Sequence, residues 1–445
     1  MQLKNSTLGV CLLSTISVFL SPVKVSAAVV SCDARFGLPL SKPPCRIETK
    51  LDYRNPKFNS QKSLIAQTSQ PTVTALSGGG NHYLVLLSNG DVWAWGGNEG
   101  GQLGNRNRIN SNVPIKTLVS GVTAIAAGQG FSLAVVGDRV LSWGTNKNGE
   151  LGVGFTGGFQ DTPAAVIRSW HSNSIIVSLF EGGHHGGVIV RHPDGKNYVY
   201  LWGKNNDKQV GEPSGQNVSI PRLLIDSYGY PYTGFVQGAG GDHHTLLLRD
   251  DGTVWALGSN YYGQIGQPPQ VTNTAYPVLV NSLANISQIA AGGENSLAIT
   301  KNGKVYSWGR GTFGQRGDGT TTDFQSTPVL VQFQGLSISA IQSVDAEGPQ
   351  VIAIDTTRRV WGWGDNRYGQ SNNRVSVCGK KPNQVTRPVL LSTFTLQSIA
   401  AAHWSNAVFG ANSRTVYTWG SNEDGQLGQG INSACNPQPN PVLIP

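Results

Sequence analysis

The stretch WAWGGNEGGQLG, residues 93–104, decides the fold, because the chain contains seven copies of it. The other six are LSWGTNKNGELG (141–152), YLWGKNNDKQVG (200–211), WALGSNYYGQIG (255–266), YSWGRGTFGQRG (306–317), WGWGDNRYGQSN (361–372) and YTWGSNEDGQLG (417–428). The copies recur about every fifty residues, without a helical pattern of apolar residues. A repeat of that length with glycine and aromatic motifs indicates a β-propeller with one blade per copy.

The fourth copy shows most clearly how one repeat supplies four short strands. Residues 245–248 form a β-rich run, Asp251-Gly252 predicts a tight hairpin, and residues 253–257 return as the next strand. A run led by proline at 277–280 predicts a further strand, since proline is tolerated at a strand's first residue. The small residues of 288–292 suit a strand crowded near a central axis. The sequence therefore predicts an all-β chain of four-stranded blades.

The pattern AAGG-x-x-[HS]-x-L-A, followed by W-[AS]-W-G-x-N-x-x-GQLG, resembles the repeat of the regulator-of-chromosome-condensation family. The resemblance covers residues 72–445 and implies a seven-bladed β-propeller. Three departures concern local turns: Leu257 replaces the pivot tryptophan, Lys208 replaces a glycine, and the sixth copy ends in Ser371-Asn372. We expect the ring to close by pairing of the N-terminal strand at 73–76 with the C-terminal strand at 441–444, which would remove exposed sheet edges.

The N-terminus carries the pattern of an export signal. Lys4 precedes an apolar core at residues 8–20, and Val25-Ser26-Ala27 matches a cleavage site. We expect residues 1–27 to be a cleaved signal peptide and the protein to be secreted or periplasmic. Retention as an N-terminal anchor and lipidation at Cys32 are the alternatives. Residues 28–71 are polar and without periodicity, which predicts a linker or a strap along the propeller.

The cysteine count agrees with an oxidising compartment. Loss of residues 1–27 would leave four cysteines, an even number. Cys378 and Cys435 occupy equivalent loops of adjacent repeats, so we predict a disulfide between them. Free thiols are the alternative for this pair. Cys32 and Cys45 would close a small N-terminal loop.

Composition disfavours a nucleic-acid partner. The formal net charge is +8 and charged residues make up 13% of the chain, so the positive charge is spread thinly. No run of lysines and arginines could follow a phosphate backbone. We expect a monomer that binds no nucleic acid and has no membrane span once the signal is removed.

Histidines are candidate metal ligands. His82, His185 and His244 align at one repeat position, and we expect the side chain there to hydrogen-bond backbone at the start of a strand. The adjacent pair His243-His244 cannot chelate one ion, because neighbouring strand residues point to opposite faces. A metal between repeats three and four, with Asp242 or Glu181 added, has no further support. We expect no metal and no cofactor.

No catalytic motif is present in the sequence. Glycine runs such as Gly78-Gly79-Gly80 lack the Gly-Lys-Ser/Thr that a phosphate-binding loop needs. Serines near histidines lack a nucleophile elbow or a suitably spaced acid. We therefore expect a protein that is not an enzyme.

Aromatic residues in loops are the candidates for partner binding. Tyr262, Phe313 and Tyr368 precede the Gly-Gln pair in repeats four to six, and Arg367 is adjacent. If these turns share one face they form an aromatic arc, and exposed aromatic residues with arginine are typical of binding hot spots. Packing between blades is the alternative.

The longest connections supply further aromatic candidates. Phe155, Phe159 and Trp170 lie between repeats two and three. Tyr228, Tyr230 and Tyr232 lie between repeats three and four, where Gly229 and Pro231 predict an exposed turn.

These observations favour an exported, non-enzymatic propeller that holds an unknown protein partner through loops on one face, as an enzyme inhibitor or adaptor. The family resemblance supports this, since the family includes secreted inhibitors of β-lactamase that bind through the loop face. The same resemblance implies an alternative, guanine-nucleotide exchange on a small GTPase, the activity of the family's namesake. A carbohydrate or cell-wall binder using the same aromatic residues is a third reading.

Overall fold

The computed structural model describes residues 70–333, 341–371, 378–379, 384–392 and 396–445. The predicted signal segment 1–27, the strap 28–71 up to residue 69, and the pair Cys32 and Cys45 lie outside the described residues.

Seven four-stranded antiparallel sheets form the blades of a propeller, and in each sheet the strands follow one another in chain order. Blade one has β1 (Val73–Gly78), β2 (His82–Leu87), β3 (Val92–Gly96) and β4 (Ser111–Lys116). Blade two has β5 (Ala124–Ala127), β6 (Phe131–Val136), β7 (Arg139–Thr145) and β8 (Phe159–Ala165). Blade three has β9 (Ile175–Glu181), β10 (His185–Arg191), β11 (Asn197–Gly203) and β12 (Val218–Leu223).

The remaining blades repeat this order. Blade four has β13 (Phe235–Gly240), β14 (His244–Arg249), β15 (Val254–Ser259) and β16 (Asn273–Leu279). Blade five has β17 (Ile286–Gly292), β18 (Asn295–Thr300), β19 (Val305–Gly309) and β20 (Val329–Leu330). Blade six has β21 (Ile341–Glu347), β22 (Gln350–Asp355), β23 (Val360–Asp365) and β24 (Gln384–Ser392), and blade seven has β25 (Ser398–Ala402), β26 (Ser405–Phe409), β27 (Thr415–Ser421) and β28 (Cys435–Leu443).

The first strands of the blades surround a central axis. Each of β1, β5, β9, β13, β17, β21 and β25 contacts the next, and β25 contacts β1, which closes the ring. An axial cavity of about 260 Å³ is lined by residues of all seven strands. The prediction that small residues such as Ala290 and Ala291 lie near the axis is confirmed.

The antiparallel order places the connections on two opposite faces. We call the upper face the side that carries the first turn and the third connection of each blade, such as residues 241–243 and 260–272 of blade four. The lower face carries the tight hairpins, such as residues 250–253, and the links to the next blade, such as residues 280–285. This division decides which loop residues can meet one partner.

The pivot tryptophan fastens each blade to the one before it. Its buried indole N–H donates to the main-chain carbonyl of the residue that follows the turn glycine in the preceding blade. These bonds join Trp95 to Gln426 (2.9 Å), Trp143 to Gln102 (2.8 Å), Trp202 to Glu150 (2.7 Å), Trp308 to Gln264 (2.9 Å), Trp363 to Gln315 (2.9 Å) and Trp419 to Gln370 (3.0 Å). Blade four has Leu257 at the pivot and keeps only the hydroxyl bond, from Thr245 to the Gln209 carbonyl at 2.8 Å, which Ser132 and Ser296 make beside the tryptophan in blades two and five.

The predicted closure by pairing of the N- and C-terminal strands is wrong for the described residues. There β1 pairs with β2 and β28 pairs with β27, in two different sheets. The ring closes by side-by-side packing of blades seven and one, where the Tyr83 and Ser405 hydroxyls lie 2.9 Å apart beside the Trp95 bond. The physical reason is that each repeat already supplies four strands to its own blade, so neither end has to complete the other.

One local prediction about a strand changes, and two residues that depart from the repeat keep its turn. Pro277 does not begin a strand; it lies inside β16, which begins at Asn273 and is an outer edge strand, where a missing N–H is tolerated. Lys208 keeps the left-handed turn conformation of the glycine it replaces, with φ of 67°. Ser371 also keeps its turn, because its N–H donates to the Asn366 side chain at 2.8 Å, as in other blades.

The described residues contain no helix of the length and apolarity needed to cross a membrane.

Candidate functional site

Three of the predicted aromatic residues occupy the same turn on the upper face of blades four, five and six. Tyr262, Phe313 and Tyr368 each precede the turn glycine. The N–H of each donates to the side-chain oxygen of the glutamine two residues later, at 2.9 Å in all three cases. This shared bond presents all three rings from equivalent positions, and each ring is half-buried.

Two arginines lie between these rings. The Arg310 guanidinium is 4.5 Å from the centre of the Tyr262 ring and 6.0 Å from that of Phe313. The Arg367 guanidinium is 5.6 Å from the Phe313 ring and 5.8 Å from the Trp404 ring. Cation–π attraction favours each contact. Together with Tyr368, 5.8 Å from Trp404, these residues form a continuous chain across blades four to seven, which we call the aromatic–arginine arc.

Acidic side chains hold both arginines in place. Arg310 lies 3.6 Å from Glu294 and 3.2 Å from Asp323. Arg367 pairs with the buried Asp365 at 2.7 Å, and this hydrogen bond raises the pKa of the guanidinium. Because each arginine is fixed by an ion pair, the arc is ordered before any partner arrives.

Sequence reasoning missed Arg310 and Trp404. Arg310 follows the Trp-Gly pivot of its repeat, a position that carries no aromatic signal of its own. Trp404 lies in the first turn of blade seven, far along the chain from the other arc residues, and His403 packs on it at 4.4 Å. Arg310 already lies in the same connection as Phe313, whereas only the ring geometry brings the turn that carries Trp404 beside the Gly-Gln turn of blade six.

A second group of exposed residues lies on the upper face at blades one and two. Phe155 belongs to the connection between β7 and β8, inside blade two, and Phe159 is the first residue of β8. Phe155 is 57% exposed, and the Arg108 guanidinium lies 4.0 Å from the centre of the Phe159 ring. These residues share the face of the arc but not its position on the ring.

The other predicted candidates belong to the lower face. Tyr228 and Tyr230 are 85% and 71% exposed in the link between β12 and β13, where both N–H groups donate to Asp226 at 2.9 Å. Tyr232 is half-buried against Trp255. Trp170 is only 5% exposed and packs on Tyr200 with ring centres 5.6 Å apart, so its ring presents little surface to a partner. The candidates therefore divide between two opposite faces.

The aligned histidines make a different bond from the predicted one. The Nε2 atom of each histidine lies within hydrogen-bond distance of a hydroxyl group in the next blade. That hydroxyl donates its one hydrogen to a main-chain carbonyl, so it accepts the hydrogen bond from the histidine Nε2–H. The pairs are His82 with Ser132 (2.9 Å), His185 with Thr245 (2.8 Å) and His244 with Ser296 (2.8 Å). Burial lowers the pKa of all three to about 3, which keeps the rings neutral. These hydrogen bonds therefore connect neighbouring blades, and they do not bond the backbone at the start of a strand as predicted.

The predicted disulfide between Cys378 and Cys435 is present, with Cα atoms 6.0 Å apart. It joins the third connection of blade six, which carries Cys378, to the first residue of β28 in blade seven, on the upper face. Among the described residues, no group of three or more His, Cys, Asp or Glu side chains is placed to hold a metal ion.

Comparisons with known proteins agree with this architecture. The family model described as the RCC1-like domain matches residues 46–350, and that of the regulator of chromosome condensation (RCC1) repeat matches residues 415–445. The ultraviolet-B receptor of Arabidopsis thaliana is 28% identical over 312 residues, which are 68% of this chain and 68% of the receptor. The human regulator of chromosome condensation is 27% identical over 301 residues, covering 64% of this chain and 70% of that protein.

A solved structure has the same fold. Prp20p from Saccharomyces cerevisiae aligns with a TM-score of 0.68 at 21% identity, covering 81% of this chain and 87% of that chain. The seven blades, the repeated pivot bonds and the matched family models lead to one conclusion: the chain belongs to the RCC1-like domain family.

Proposed function

We propose that this protein is an exported, non-enzymatic propeller that binds a protein partner through the aromatic–arginine arc on its upper face, as an enzyme inhibitor or adaptor. The observation that carries the proposal is the alternation of Tyr262, Arg310, Phe313, Arg367 and Trp404 across four blades. Aromatic residues and arginine dominate the binding energy of protein interfaces.

The arc suits a protein surface for two physical reasons. Ion pairs already fix its arginines, so little side-chain entropy is lost on binding. Its half-buried rings show an apolar edge beside ion-paired guanidinium groups, which suits a partner surface that is partly apolar and partly polar. Among relatives, Prp20p is described with binding properties to Gsp1p and histones, which supports protein binding as the use of this fold.

Variants on the two faces test the proposal. We expect Tyr262→Ala with Phe313→Ala to weaken capture of a partner from a secreted or periplasmic fraction about tenfold or more, since truncation of hot-spot residues costs about 2 kcal/mol or more. The matched control is Tyr228→Ala with Tyr230→Ala, which removes two aromatic rings from the lower face. Loss of capture in the control alone would place the binding site on the lower face.

Export is the second part of the proposal, and it rests on the pattern of residues 1–27. We expect the mature protein to begin near Ala28 when its N-terminus is sequenced. A mature chain that keeps residues 1–27 would contradict cleavage.

The alternative is guanine-nucleotide exchange, which the similarity to the human regulator of chromosome condensation favours. Nucleotide release measured over a panel of small GTPases separates the two functions. Accelerated release by the wild type, lost in the arc variant, would replace the inhibitor or adaptor proposal.

A further inference from the structure

Carboxylate side chains gather at the upper end of the axial cavity. Glu181 ends β9, and Asp345 and Glu347 lie at the end of β21; all three line the cavity. Asp242, in the turn after β13, lies beside them. Blades three, four and six thus direct negative charge toward the axis, although their carboxylates are far apart in sequence.

Two of the four carboxylates have protein partners. Asp345 accepts the N–H groups of Ala401 (2.9 Å) and Ala346 (3.0 Å), and Asp242 accepts the Gln129 amide at 2.6 Å. Glu347 is 5% exposed, and its Oε1 has no hydrogen-bond partner within the described part of the chain. The buried Oε2 atom of Glu181 also has no hydrogen-bond partner within the described part of the chain. A buried carboxylate oxygen without a donor is costly unless something else satisfies it.

Within the described chain, no cation acts on Glu181, Asp345 or Glu347. Of the four carboxylates there, only Asp242 has nearby cationic side chains, those of His243 and Lys204. Neither lysine nor arginine is among the described residues that line the cavity. Burial, and then repulsion by the neighbouring carboxylates, raises the pKa of Glu181 and of Glu347 well above the ordinary range. Burial also raises the pKa of Asp242 and of Asp345 to about 6. A cation at this place would lower the energy of all four ionised groups at once.

The geometry favours an extended organic cation over a metal ion. Within the described ranges, no three of these side chains converge as metal ligands would. A planar guanidinium carries five N–H donors and can bond separated carboxylates, and an ammonium carries three. The cavity of about 260 Å³ has room for such a group.

We propose that the upper end of the axial cavity is a binding site for a guanidinium or primary ammonium group, held between Glu181 and Glu347. The nearby carboxylates of Asp242 and Asp345 add negative potential. The site is separate from the aromatic–arginine arc and does not depend on it.

The test uses N-acetyl-arginine methylamide as the probe, titrated calorimetrically into the full chain near pH 8. The neutral isostere N-acetyl-citrulline methylamide is the matched control ligand. We expect the arginine compound to bind about tenfold or more tightly than the citrulline compound, because charge-assisted bonds to the carboxylates are the stronger kind. Binding should release protons, so its heat should depend on the buffer, and affinity should fall toward pH 5 as the carboxylates become protonated.

Three further probes identify the cation and its source. Methylguanidinium tests a free ion: equal affinity for it would mean that the site reads the charged group alone, whereas tighter binding of the arginine compound indicates a side chain of a polypeptide. N-acetyl-lysine methylamide compares ammonium with guanidinium. Calcium chloride tests a metal, and binding of calcium with loss of the arginine signal would overturn the proposal.

Variants assign the binding to these carboxylates. Glu181→Gln with Glu347→Gln should weaken binding of the arginine compound at least about tenfold, and Glu347→Gln alone should weaken it in part. Glu99→Gln with Asp138→Asn removes the same charge from exposed positions and should leave affinity unchanged. Equal binding of the citrulline compound, unchanged affinity in the double glutamine variant, or no binding of either cationic amino-acid compound by the folded wild type would overturn the proposal.

Discussion

At the scale of single residues, each position of the repeat requires a particular backbone conformation. The residue type at that position decides whether the conformation is relaxed or strained. The turn before the shared carbonyl acceptor needs a positive φ, and glycine supplies it in six blades, for example Gly263 with φ of 87°. Lys208 adopts φ of 67° at the same position. For a residue with a Cβ this conformation is strained, so blade three stores strain that the other blades avoid.

Lys208→Gly should therefore stabilise the protein. The left-handed conformation costs a non-glycine residue about 1–2 kcal/mol, and glycine loses about 0.5–1 kcal/mol in chain entropy, so we expect a net gain of about 1 kcal/mol. Urea unfolding measures the change. Lys204→Gly is the control, because Lys204 is not among the residues with positive φ, and there the substitution should destabilise.

The buried carboxylate Glu347 gives a residue-scale prediction about pH. Its pKa is raised in the folded protein, so the stability it contributes is fully present below its unfolded value near 4.5 and is lost as pH rises through the folded value. Glu347→Gln removes this loss. The melting temperature of the variant should exceed that of the wild type increasingly from about pH 5 to pH 8. Glu99→Gln, at an exposed position, should show no such trend.

At the scale of the element, the loop between the third and fourth strands is stabilised by a hydrogen bond from its own backbone to one of its own side chains. In six blades an asparagine two residues after the pivot glycine bonds the N–H five residues later, as Asn98 does with Leu103 at 2.9 Å. Blade five has Gly311 there, and the buried Arg316 replaces the apolar residue at the later position. Its guanidinium bonds Asp318 (3.0 Å), Thr320 (2.6 Å) and Thr322.

This paired change can be tested by a double-mutant cycle. A Cβ at position 311 would lie 1.9 Å from the Arg316 guanidinium, so the two side chains exclude each other. Arg316→Leu should destabilise by about 2 kcal/mol, because it removes the charge-assisted bonds to Asp318 and to the main-chain carbonyls of Gly309 and Thr322. Gly311→Asn alone should also destabilise. The double variant should recover much of the loss in urea unfolding; additive losses would contradict the exchange of roles.

At the scale of the whole molecule, closure depends on contacts between complete blades. Within the described chain, blades seven and one share no sheet, and the hydrogen bond from Trp95 to Gln426 joins them. The disulfide between Cys378 and Cys435 ties blade seven to blade six across 57 residues of sequence. The last blade is thus fastened on both sides without an exchanged strand.

Removing this disulfide should lower the free energy of unfolding. Closing a chain loop of that length removes unfolded-state entropy worth about 4 kcal/mol, so Cys378→Ser with Cys435→Ser should cost up to about that amount. Urea unfolding with and without reductant measures it. In the double variant, any remaining effect of reductant would report the predicted pair Cys32 and Cys45. Equal stability of variant and wild type would show that the disulfide does not constrain the unfolded chain.

The sequence by itself determined the number of blades, the position of most strands and the partners Cys378 and Cys435. It could do so because each repeat carries its own hairpin and turn residues, such as Asn89-Gly90, and these act locally. It also identified Tyr262, Phe313 and Tyr368 as equivalent. The hairpins and turns depend on neighbours within one repeat, whereas the cysteine pair could be identified because both cysteines occupy equivalent positions of adjacent repeats.

Only the tertiary structure decided how the repeats meet. It assigned Tyr228 and Tyr230 to the face opposite Tyr262, placed Arg310 and Trp404 in the arc, and gave the aligned histidines partners in the next blade. It also brought Glu181 and Glu347 to one cavity. These contacts join residues of different blades, and the curvature of the closed ring, which no single repeat encodes, sets their distances.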